Sequence, residues 1–359
     1  MKRIPAVFAC TVMGLMLTVP AIAEDGLSIG HDPRNSSTEN ATTKNNHATS
    51  VSENKLKQLA PLLEGIASKL VGRIGVAARP IGGKEVFVIN GDEPFVMAST
   101  FKVAIAVAVL DRVDKGQLAL EQLVNVTPEM MVTGDNVLAT NFVHPGLNLS
   151  VANLIEAMIT ESDNTATDVC IGLAGGPAAV TAKLQSIGIK DQRVDRMVAE
   201  IIRDFYDLPG LATAKVGAEA LKTPGFAAKQ PLRNLKYESD PRDQSTPNAM
   251  LDLLMKIDDG SALKAKSREF LLGTMSRTRT GVGRLKGLLP KGTPVAHKTG
   301  TIGGVANDVG YITLPDGRRF AIAVFTKSSE TPAPDRDRAI AEVTRTLYDY
   351  FYLFPATER

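Results

Sequence analysis

Residues 97–110 read MASTFKVAIAVAVL, and this stretch decides how the rest of the chain is interpreted. Every side chain from Val103 to Leu110 is apolar, which is typical of a helix that is buried on all sides. Lys102 nevertheless stands at the head of this helix, three residues after Ser99. Because positions i and i+3 of a helix face the same way, the sequence predicts a serine beside a buried lysine.

This pair has a chemical interpretation and a structural one. Burial lowers the pKa of a lysine because the charged form loses its hydration, and a neutral Lys102 can then activate the hydroxyl of Ser99. The helix N-terminus also favours a developing oxyanion. Alternatively, Ser99 or Thr100 caps the helix and Lys102 extends to solvent. A chain of this length contains roughly one S-x-x-K by chance, so the motif alone favours the structural interpretation.

Composition and charge narrow the classes of function. The 359 residues include 41 basic and 39 acidic side chains, which argues against nucleic-acid binding through a basic face. The only cysteines are Cys10 and Cys170, and none of the four histidines lies in an H-E-x-x-H motif. We therefore expect no protein-bound metal and no cofactor. We also expect a monomer whose partner is a small-molecule substrate.

The N-terminus predicts export. Two basic residues precede a mostly apolar run over 7–19, and AIA at 21–23 has the small-x-small pattern of a signal peptidase site. We expect residues 1–23 to be a signal peptide and residues 24–54, rich in Asn, Ser and Thr, to be a disordered spacer. The alternative for the first segment is a buried N-terminal strand. The apolar run is too short to span a membrane, so we expect a secreted or periplasmic protein without stable membrane insertion.

Residues 55–359 predict one catalytic domain of the α/β (α+β) class. A helix and two strands open it, residues 96–264 have mainly helical patterns, and strands return before a closing amphipathic helix. The simplest assembly is one antiparallel sheet flanked by the terminal helices, with an inserted all-α subdomain. The α/β part would take about 55–95 and 265–359, with the site in the cleft between the two parts.

Two further short motifs carry chemistry. SDN at 162–164 heads an apolar helical run, where the simpler role of its polar residues is a helix N-cap. KTGT at 298–301 interrupts an apolar strand, and Gly300 permits close approach of a backbone or a ligand. The simpler role there is an edge strand protected by a lysine. Each motif is weak evidence of function when it is taken alone.

Together and in this order, S-x-x-K, S-D-N and K-T-G resemble the penicillin-recognising serine enzymes. The stretches FVMASTFKVAIAVAVL, TESDNTATD, DPRDQSTPNAM, TGVGRLKGLLP and AHKTGT are similar to class A β-lactamases, over about Lys55 to Tyr352. HKTGT followed by NDVGYITLPDG is similar to the extended-spectrum subgroup that includes the PER and VEB enzymes. The resemblance implies the fold of β-lactamases and penicillin-binding transpeptidases, with a β-lactam as substrate and no metal.

The resemblance also implies roles for the motif residues. Ser99 is the nucleophile, Lys102 assists removal of its proton, and Ser162 relays a proton to the lactam nitrogen. Backbone N–H groups of Ser99 and Thr301 form the oxyanion hole. Arg284 takes the place of an arginine that many class A enzymes carry on the strand after K-T-G. The implied substrate-binding residues are Asn164, Arg284, Lys298, Thr299, Gly300 and Thr301.

The match breaks at the residue that hydrolyses the acyl-enzyme. Class A enzymes use a glutamate of the Ω loop, within the pattern R-x-D-R-x-E-x-x-x-N, whereas residues 193–202 read RVDRMVAEII. The glutamate position is occupied by Val198 and the asparagine position by Ile202. Glu200 lies two residues further on, and a shift of two residues makes it the candidate catalytic acid of this loop.

The Ω loop is also longer than in most class A enzymes. Residues 203–240 have no clear periodicity, and we expect Asp243 to close the loop by pairing with Arg196. The insertion either remodels the pocket, packs on itself as a surface excursion, or supplies the missing acid. The acids it offers are Asp204, Asp207, Glu219 and Glu238.

Three functions follow from these residues. The leading hypothesis is an exported serine β-lactamase of class A type that acts through an acyl-enzyme on Ser99. The second is a β-lactam-binding sensor or decoy that deacylates slowly, because loss of a general base typically costs on the order of a hundred- to ten-thousand-fold in rate. The third is another acyl-transfer enzyme on the same scaffold, such as a DD-peptidase, an esterase or an amidase.

Overall fold

The computed structural model describes residues 59–132, 137–208 and 232–355. The predicted signal peptide and spacer lie outside the described residues, as does Glu219 of the insertion. Within the described ranges, no helix combines the length and the apolar character needed to cross a bilayer.

Nine strands and eleven helices are described in these ranges. The strands are β1 (Arg73–Pro80), β2 (Phe87–Ile89), β3 (Phe95–Val96), β4 (Leu123–Val126), β5 (Leu147–Ser150), β6 (Gln244–Ser245), β7 (Val295–Ile302), β8 (Val305–Thr313) and β9 (Arg319–Lys327). The helices are α1 (59–67), α2 (Lys102–Asp114), α3 (Val137–Asn141), α4 (Val151–Thr160), α5 (Asn164–Ala174), α6 (Pro177–Ser186), α7 (Val198–Phe205), α8 (Leu235–Glu238), α9 (Pro247–Asp258), α10 (Ala265–Ser276) and α11 (Ala333–Leu353).

Strands from both ends of the domain form one antiparallel sheet in the order β2-β1-β9-β8-β7. The central strands β8 and β9 are buried along nearly their whole length. Successive side chains of a strand point to opposite faces, and both faces are apolar here. Val324 packs in the cluster that contains α1 and α11, whereas Phe325 packs among the helices of the middle segment. The predicted antiparallel sheet with terminal helices is therefore confirmed.

The middle segment is built around α2. Residues Lys102 to Leu110 of this helix are all buried, as predicted for an apolar helix that neighbouring helices surround. Helices α4, α5, α6 and α10 pack against it. The segment also contains the antiparallel pair β4–β5, which the expectation of an all-α subdomain did not include. Its strands are short and only partly buried, so the sequence gives little periodicity by which to recognise them.

Candidate active site

Ser99 lies in a 3-10 turn, Ala98–Phe101, that leads directly into α2. Thr100 Oγ1 donates to the carbonyl oxygen of Met97 (2.7 Å) and holds the turn closed. Ala98 adopts a positive φ of 45°, a conformation that is uncommon for a residue with a Cβ atom. The backbone at the serine is thus held in a shape that the surrounding contacts impose.

Gly300 of strand β7 packs against this turn. A Cβ atom at Gly300 would lie 2.6 Å from the carbonyl oxygen of Met97 and 3.1 Å from the backbone nitrogen of Ser99. Only glycine allows the backbone of β7 to come this close. The K-T-G glycine therefore sets the distance between the turn of Ser99 and the strand that carries Thr301.

Two neighbouring residues of β8 support the same region, and the sequence analysis did not single out either of them. Asn307 is fully buried and its Nδ2 donates to the carbonyl oxygen of Met97 (2.9 Å). Asp308 is also fully buried, with Oδ1 2.8 Å from Nδ1 of His297. These side chains fix the turn of Ser99 and β7 to the middle of the sheet.

Lys102 is fully buried and its Nζ donates three hydrogen bonds. The acceptors are the carbonyl oxygen of Ser162 (2.6 Å), the hydroxyl of Ser162 (3.1 Å) and Oδ1 of Asn164 (2.9 Å). Burial lowers the pKa of Lys102 to about 7, although Asp163 and Asp168 act in the opposite direction. A lysine with this pKa is partly neutral at physiological pH and can exchange a proton with its neighbours.

Lys298 reaches the same serine from β7. Its Nζ lies 3.1 Å from Ser162 Oγ and 2.8 Å from the carbonyl oxygen of Thr299. Burial, and next to it the charge of Lys102, hold the pKa of Lys298 well below its ordinary value. The hydroxyl of Ser162 is therefore within hydrogen-bond distance of two lysine nitrogens, an arrangement suited to relaying a proton.

The N-terminus of α5 positions Ser162. This residue has a positive φ of 60°, and the next residue, Asp163, caps the helix by accepting from the backbone N–H of Ala166 (2.8 Å). The other oxygen of Asp163 accepts from the backbone N–H of Leu138 (2.9 Å). The capping role considered for this motif is thus present, and it coexists with the contacts of Ser162 and Asn164 to the lysines.

Arg284 is buried behind β7. Its guanidinium donates to the carbonyl oxygen of Gly300 (3.0 Å) and to the hydroxyl of Thr301 (2.7 Å), while Nε pairs with Asp337 (2.7 Å). Thr299 Oγ1 lies 2.6 Å from the hydroxyl of Thr280. The sequence-predicted residues of K-T-G and Arg284 are thus in contact with one another on one side of the site.

The Ω loop is closed by the ion pair that the sequence suggested. Arg196 Nε lies 2.6 Å from Oδ2 of Asp243, and both side chains are almost completely buried. The other carboxylate oxygen of Asp243 accepts from the backbone N–H of Asp195 (2.7 Å). Arg196 also pairs with Asp204 (2.9 Å) and Asp240 (3.3 Å). This cluster joins the two ends of the inserted segment.

The structure places Glu200 at the N-terminus of α7, where it caps the helix. One of its carboxylate oxygens accepts from the backbone N–H of Met197 (2.8 Å). Val198, which the resemblance aligns with the class A glutamate, is buried, and its side chain packs in the core of the middle segment. The two-residue shift considered for Glu200 is therefore opposed by the bond that this carboxylate makes within its own helix.

A carboxylate that the sequence analysis missed lies directly beside Val198. Asp168 of α5 accepts from the backbone N–H of Val198 (2.6 Å) and from that of Ala199 (3.2 Å). Burial raises the pKa of Asp168 to about 6, against the effect of these two N–H groups and of Lys102. Its signal in the sequence is an acid four residues after Asn164 on a helix that is otherwise largely apolar.

The described acids of the insertion each have another partner. Asp204 pairs with Arg196 (2.9 Å), and Asp207 pairs with Lys236 (2.9 Å). Glu238 accepts from both the backbone N–H and the hydroxyl of Ser328, at 2.6 and 2.9 Å. These contacts tie the insertion to Arg196 and to Ser328, directly after the end of β9.

Cys170 is a buried free thiol on α5, and burial raises its pKa above the ordinary value. A thiol that stays protonated is a poor nucleophile. Residues 59–132, 137–208 and 232–355 contain no group of three His, Cys, Asp or Glu side chains that is placed to hold a metal ion.

Comparison with known proteins gives matches along nearly the whole described chain. A family model described as the β-lactamase enzyme family matches residues 54–351. The extended-spectrum β-lactamase PER-1 of Pseudomonas aeruginosa is 32% identical over 303 residues, which cover 81% of this chain and 88% of that protein. β-Lactamase VEB-1 of the same species is 30% identical, with 80% of this chain and 89% of that protein covered.

The solved structures give the same result for the fold. The crystal structure of a β-lactamase from Chitinophaga pinensis superimposes on this chain with a TM-score of 0.68 and is 31% identical in sequence. The superposition covers 81% of this chain and 98% of that structure. The similarity thus includes both the sheet and the helical middle segment.

Proposed function

This chain belongs to the β-lactamase enzyme family as a class A serine β-lactamase, a hydrolase of β-lactams, and from that premise we propose that it opens the ring through an ester on Ser99 Oγ. The single observation that carries the proposal is the position of Ser162 Oγ, 3.1 Å from Nζ of both Lys102 and Lys298. A hydroxyl between two buried amines is suited to moving a proton between the nucleophile and a leaving nitrogen.

Ring opening is proposed to proceed in one acylation step. Lys102 in its neutral form takes the proton of Ser99 as Oγ bonds to the lactam carbonyl carbon. The bond from that carbon to the lactam nitrogen then breaks, and the nitrogen receives a proton through Ser162. Backbone N–H groups of Ser99 and Thr301 hold the oxyanion at the end of the turn and on β7.

Substrate binding is proposed to use the cationic and hydroxyl groups of β7. Lys298, Thr299 and Thr301 donate to the carboxylate that β-lactams carry, because hydrogen bonds to an ionised acceptor are short and strong. Arg284 contributes by holding the hydroxyl of Thr301 (2.7 Å) and adding positive charge behind the strand. Asn164, whose Oδ1 accepts from Lys102, is proposed to bind the substrate's own side-chain amide.

We also propose export to the periplasm or the medium, with cleavage after residue 23. The support is the basic, apolar and small-residue pattern of the first 23 residues. N-terminal sequencing of the mature protein checks it, and a mature chain that begins at Met1 would contradict it.

The experiment for the acyl-enzyme compares the wild type with S99A. Each protein is mixed with a chromogenic cephalosporin, and absorbance and intact mass are followed over time. We expect the wild type to gain the mass of the ring-opened drug and to hydrolyse the substrate, whereas S99A does neither. Hydrolysis that survives in S99A would show that Ser99 is not the nucleophile.

A further inference from the structure

We propose that Asp168 is the general base that activates water for hydrolysis of the acyl-enzyme, in place of the glutamate that is absent at position 198. This inference rests on the Ser99 acyl-enzyme proposed above. It deepens that function by assigning its second half-reaction to a residue outside the three sequence motifs.

The first support is the position of Asp168 on α5. Asn164 and Asp168 are four residues apart, so their side chains share one face of the helix. The Asn164 end of that face touches the site, because Lys102 Nζ donates to Asn164 Oδ1 (2.9 Å). Lys102 and Asp168 act on each other electrostatically. The face therefore carries a carboxylate one helical turn away from the residue that bonds to Lys102.

The second support is the contact of Asp168 with the Ω loop. The backbone N–H groups of Val198 and Ala199 donate to its two carboxylate oxygens, one to each. A carboxylate oxygen can accept more than one hydrogen bond, so each oxygen retains capacity for a water molecule. The carboxylate of Asp168 is thus fixed at the backbone of the same loop position where class A enzymes place their base.

The third support is the electrostatic environment of Asp168. A general base works best when its pKa lies near the operating pH, and burial raises the pKa of Asp168 to about 6. The charged groups that face it are Lys102 from α2 and Glu200 from α7, the first lowering and the second raising its pKa. At neutral pH Asp168 is therefore mostly ionised, yet it binds a proton more readily than an exposed aspartate.

Other described carboxylates near the cleft are less suited to this role. Asp163 is fully buried at the cap of α5, whereas Asp168 keeps 9% of its surface exposed. Glu200 bonds to the backbone N–H of Met197, at the start of its own helix, and not to that of residue 198. Asp204 and Glu238 are held by Arg196 and Ser328. Asp168 alone among these five combines a contact to the loop backbone at residue 198 with an electrostatic effect on Lys102.

In the proposed step, Asp168 in its carboxylate form removes a proton from water as the water oxygen bonds to the ester carbon. The bond from that carbon to Ser99 Oγ breaks, and the proton held by Asp168 passes to Oγ. The remaining hydrogen of the water leaves on the product carboxyl group, which then ionises. Both side chains return to their starting protonation states, and water is the only co-reactant.

The test separates formation of the adduct from its loss. Wild-type, D168N, E200Q and D316N proteins are mixed with a chromogenic cephalosporin, quenched over time and weighed intact. We expect D168N to form the adduct at a rate close to wild type and to clear it more slowly, by on the order of a hundred- to ten-thousand-fold. The control D316N, an Asp→Asn change at the turn between β8 and β9, is expected to match wild type in both rates.

The E200Q variant separates the proposed base, Asp168, from the residue that caps α7. It weakens the N-terminus of α7 and removes the carboxylate that competes with Asp168 for the role of base. Slow clearance in E200Q together with normal clearance in D168N would overturn the proposal. If the wild type neither forms an adduct nor hydrolyses the substrate, the acyl-enzyme proposal falls and takes this inference with it. A wild-type adduct that persists for hours leaves the acyl-enzyme standing and overturns only the role of Asp168.

Two further readouts separate a base from a structural aspartate. Clearance in the wild type is expected to rise with pH through about 6 as Asp168 ionises, and this inflection should disappear in D168N. In D168A, added formate is expected to restore clearance in proportion to its concentration. An unchanged inflection in D168N, or no rescue by formate in D168A, would show that Asp168 only holds the loop.

Discussion

Lys102 and Lys298 are as deeply buried as Arg196, yet the two lysines and the arginine have opposite surroundings. In the part of the chain that the structure describes, both lysines donate to uncharged oxygens of Ser162 and its neighbours and form no salt bridge. Arg196, by contrast, pairs with Asp243 and two further aspartates. One cluster is cationic and incompletely neutralised, whereas in the other Arg196, Arg203 and Arg242 pair with Asp204, Asp240 and Asp243.

The pKa values follow this difference. Burial lowers the pKa of Lys102 to about 7 and that of Lys298 well below its ordinary value. Burial also works against the charge of Arg196, but Tyr237 and Asp243 outweigh it and raise the pKa. Incomplete neutralisation thus makes a proton exchangeable near neutral pH, which catalysis needs, whereas full pairing keeps a cation charged and holds a loop in place.

The largest effect we expect comes from K102M. Acylation of Ser99 should fall by on the order of a hundred- to ten-thousand-fold, because the base is lost. Replacing a buried, incompletely paired cation by an apolar side chain of similar length should at the same time preserve or raise the thermal midpoint. Adduct formation by intact mass and unfolding by calorimetry check the two expectations. A stable K102M protein with wild-type acylation would remove Lys102 from the mechanism.

R196M should show the opposite pattern. Removing this arginine leaves Asp243 buried without its cation, and breaking such a pair costs about 3–5 kcal/mol in the free energy of unfolding. The matched control is R193M, because the Arg193 side chain is 53% exposed in its pair with Asp195, and exposed pairs contribute about 1 kcal/mol or less. Urea denaturation measures both. Equal losses in the two variants would refute the contrast between a buried and an exposed pair.

Much of the site is predictable because its residues lie in short motifs at the ends of regular elements. Ser99 lies in the turn that leads into α2 and Lys102 begins that helix. SDN at 162–164 leads into α5, and KTGT at 298–301 lies in β7. A local sequence pattern therefore reports their backbone positions, and the sheet order brings them together. The strand patterns at both ends of the catalytic region likewise made the sheet predictable.

The missed residues act through contacts between distant parts of the chain. Asn307 supports Met97 from 210 positions away in sequence, and Asp168 binds the backbone of residues that are 30 positions later. Neither has a motif of its own. Glu200 was a candidate because of its position relative to the class A pattern, but its carboxylate bonds to the backbone N–H three residues earlier. Spacing alone cannot show where such a side chain points.

The pH dependence of acylation sharpens the same comparison. The pKa of Lys102 lies near 7. Below pH 7, the fraction of Lys102 in the neutral form therefore rises about tenfold for each unit by which the pH is raised. Adduct formation should therefore rise with pH and level off above about 7. Rapid-quench mass measurements between pH 5 and 9 test this. A rate that is flat across pH 7 would mean that Lys102 does not act as the base in its neutral form.

The smallest effect belongs to Asp240, at the more exposed side of the aspartate cluster. Its hydrogen bond with Arg242 is the main cause that lowers its pKa, to about 2. A carboxyl group with a folded pKa below its unfolded value of 3.8 stabilises the fold above that value, and the contribution is lost as the pH falls through about 2. D240N should therefore lower the free energy of unfolding by up to about 1 kcal/mol at pH 6. The difference from wild type should disappear towards pH 2, as measured by urea denaturation. A difference that persists unchanged at pH 2 would show that the side chain stabilises the loop by packing and not by its charge.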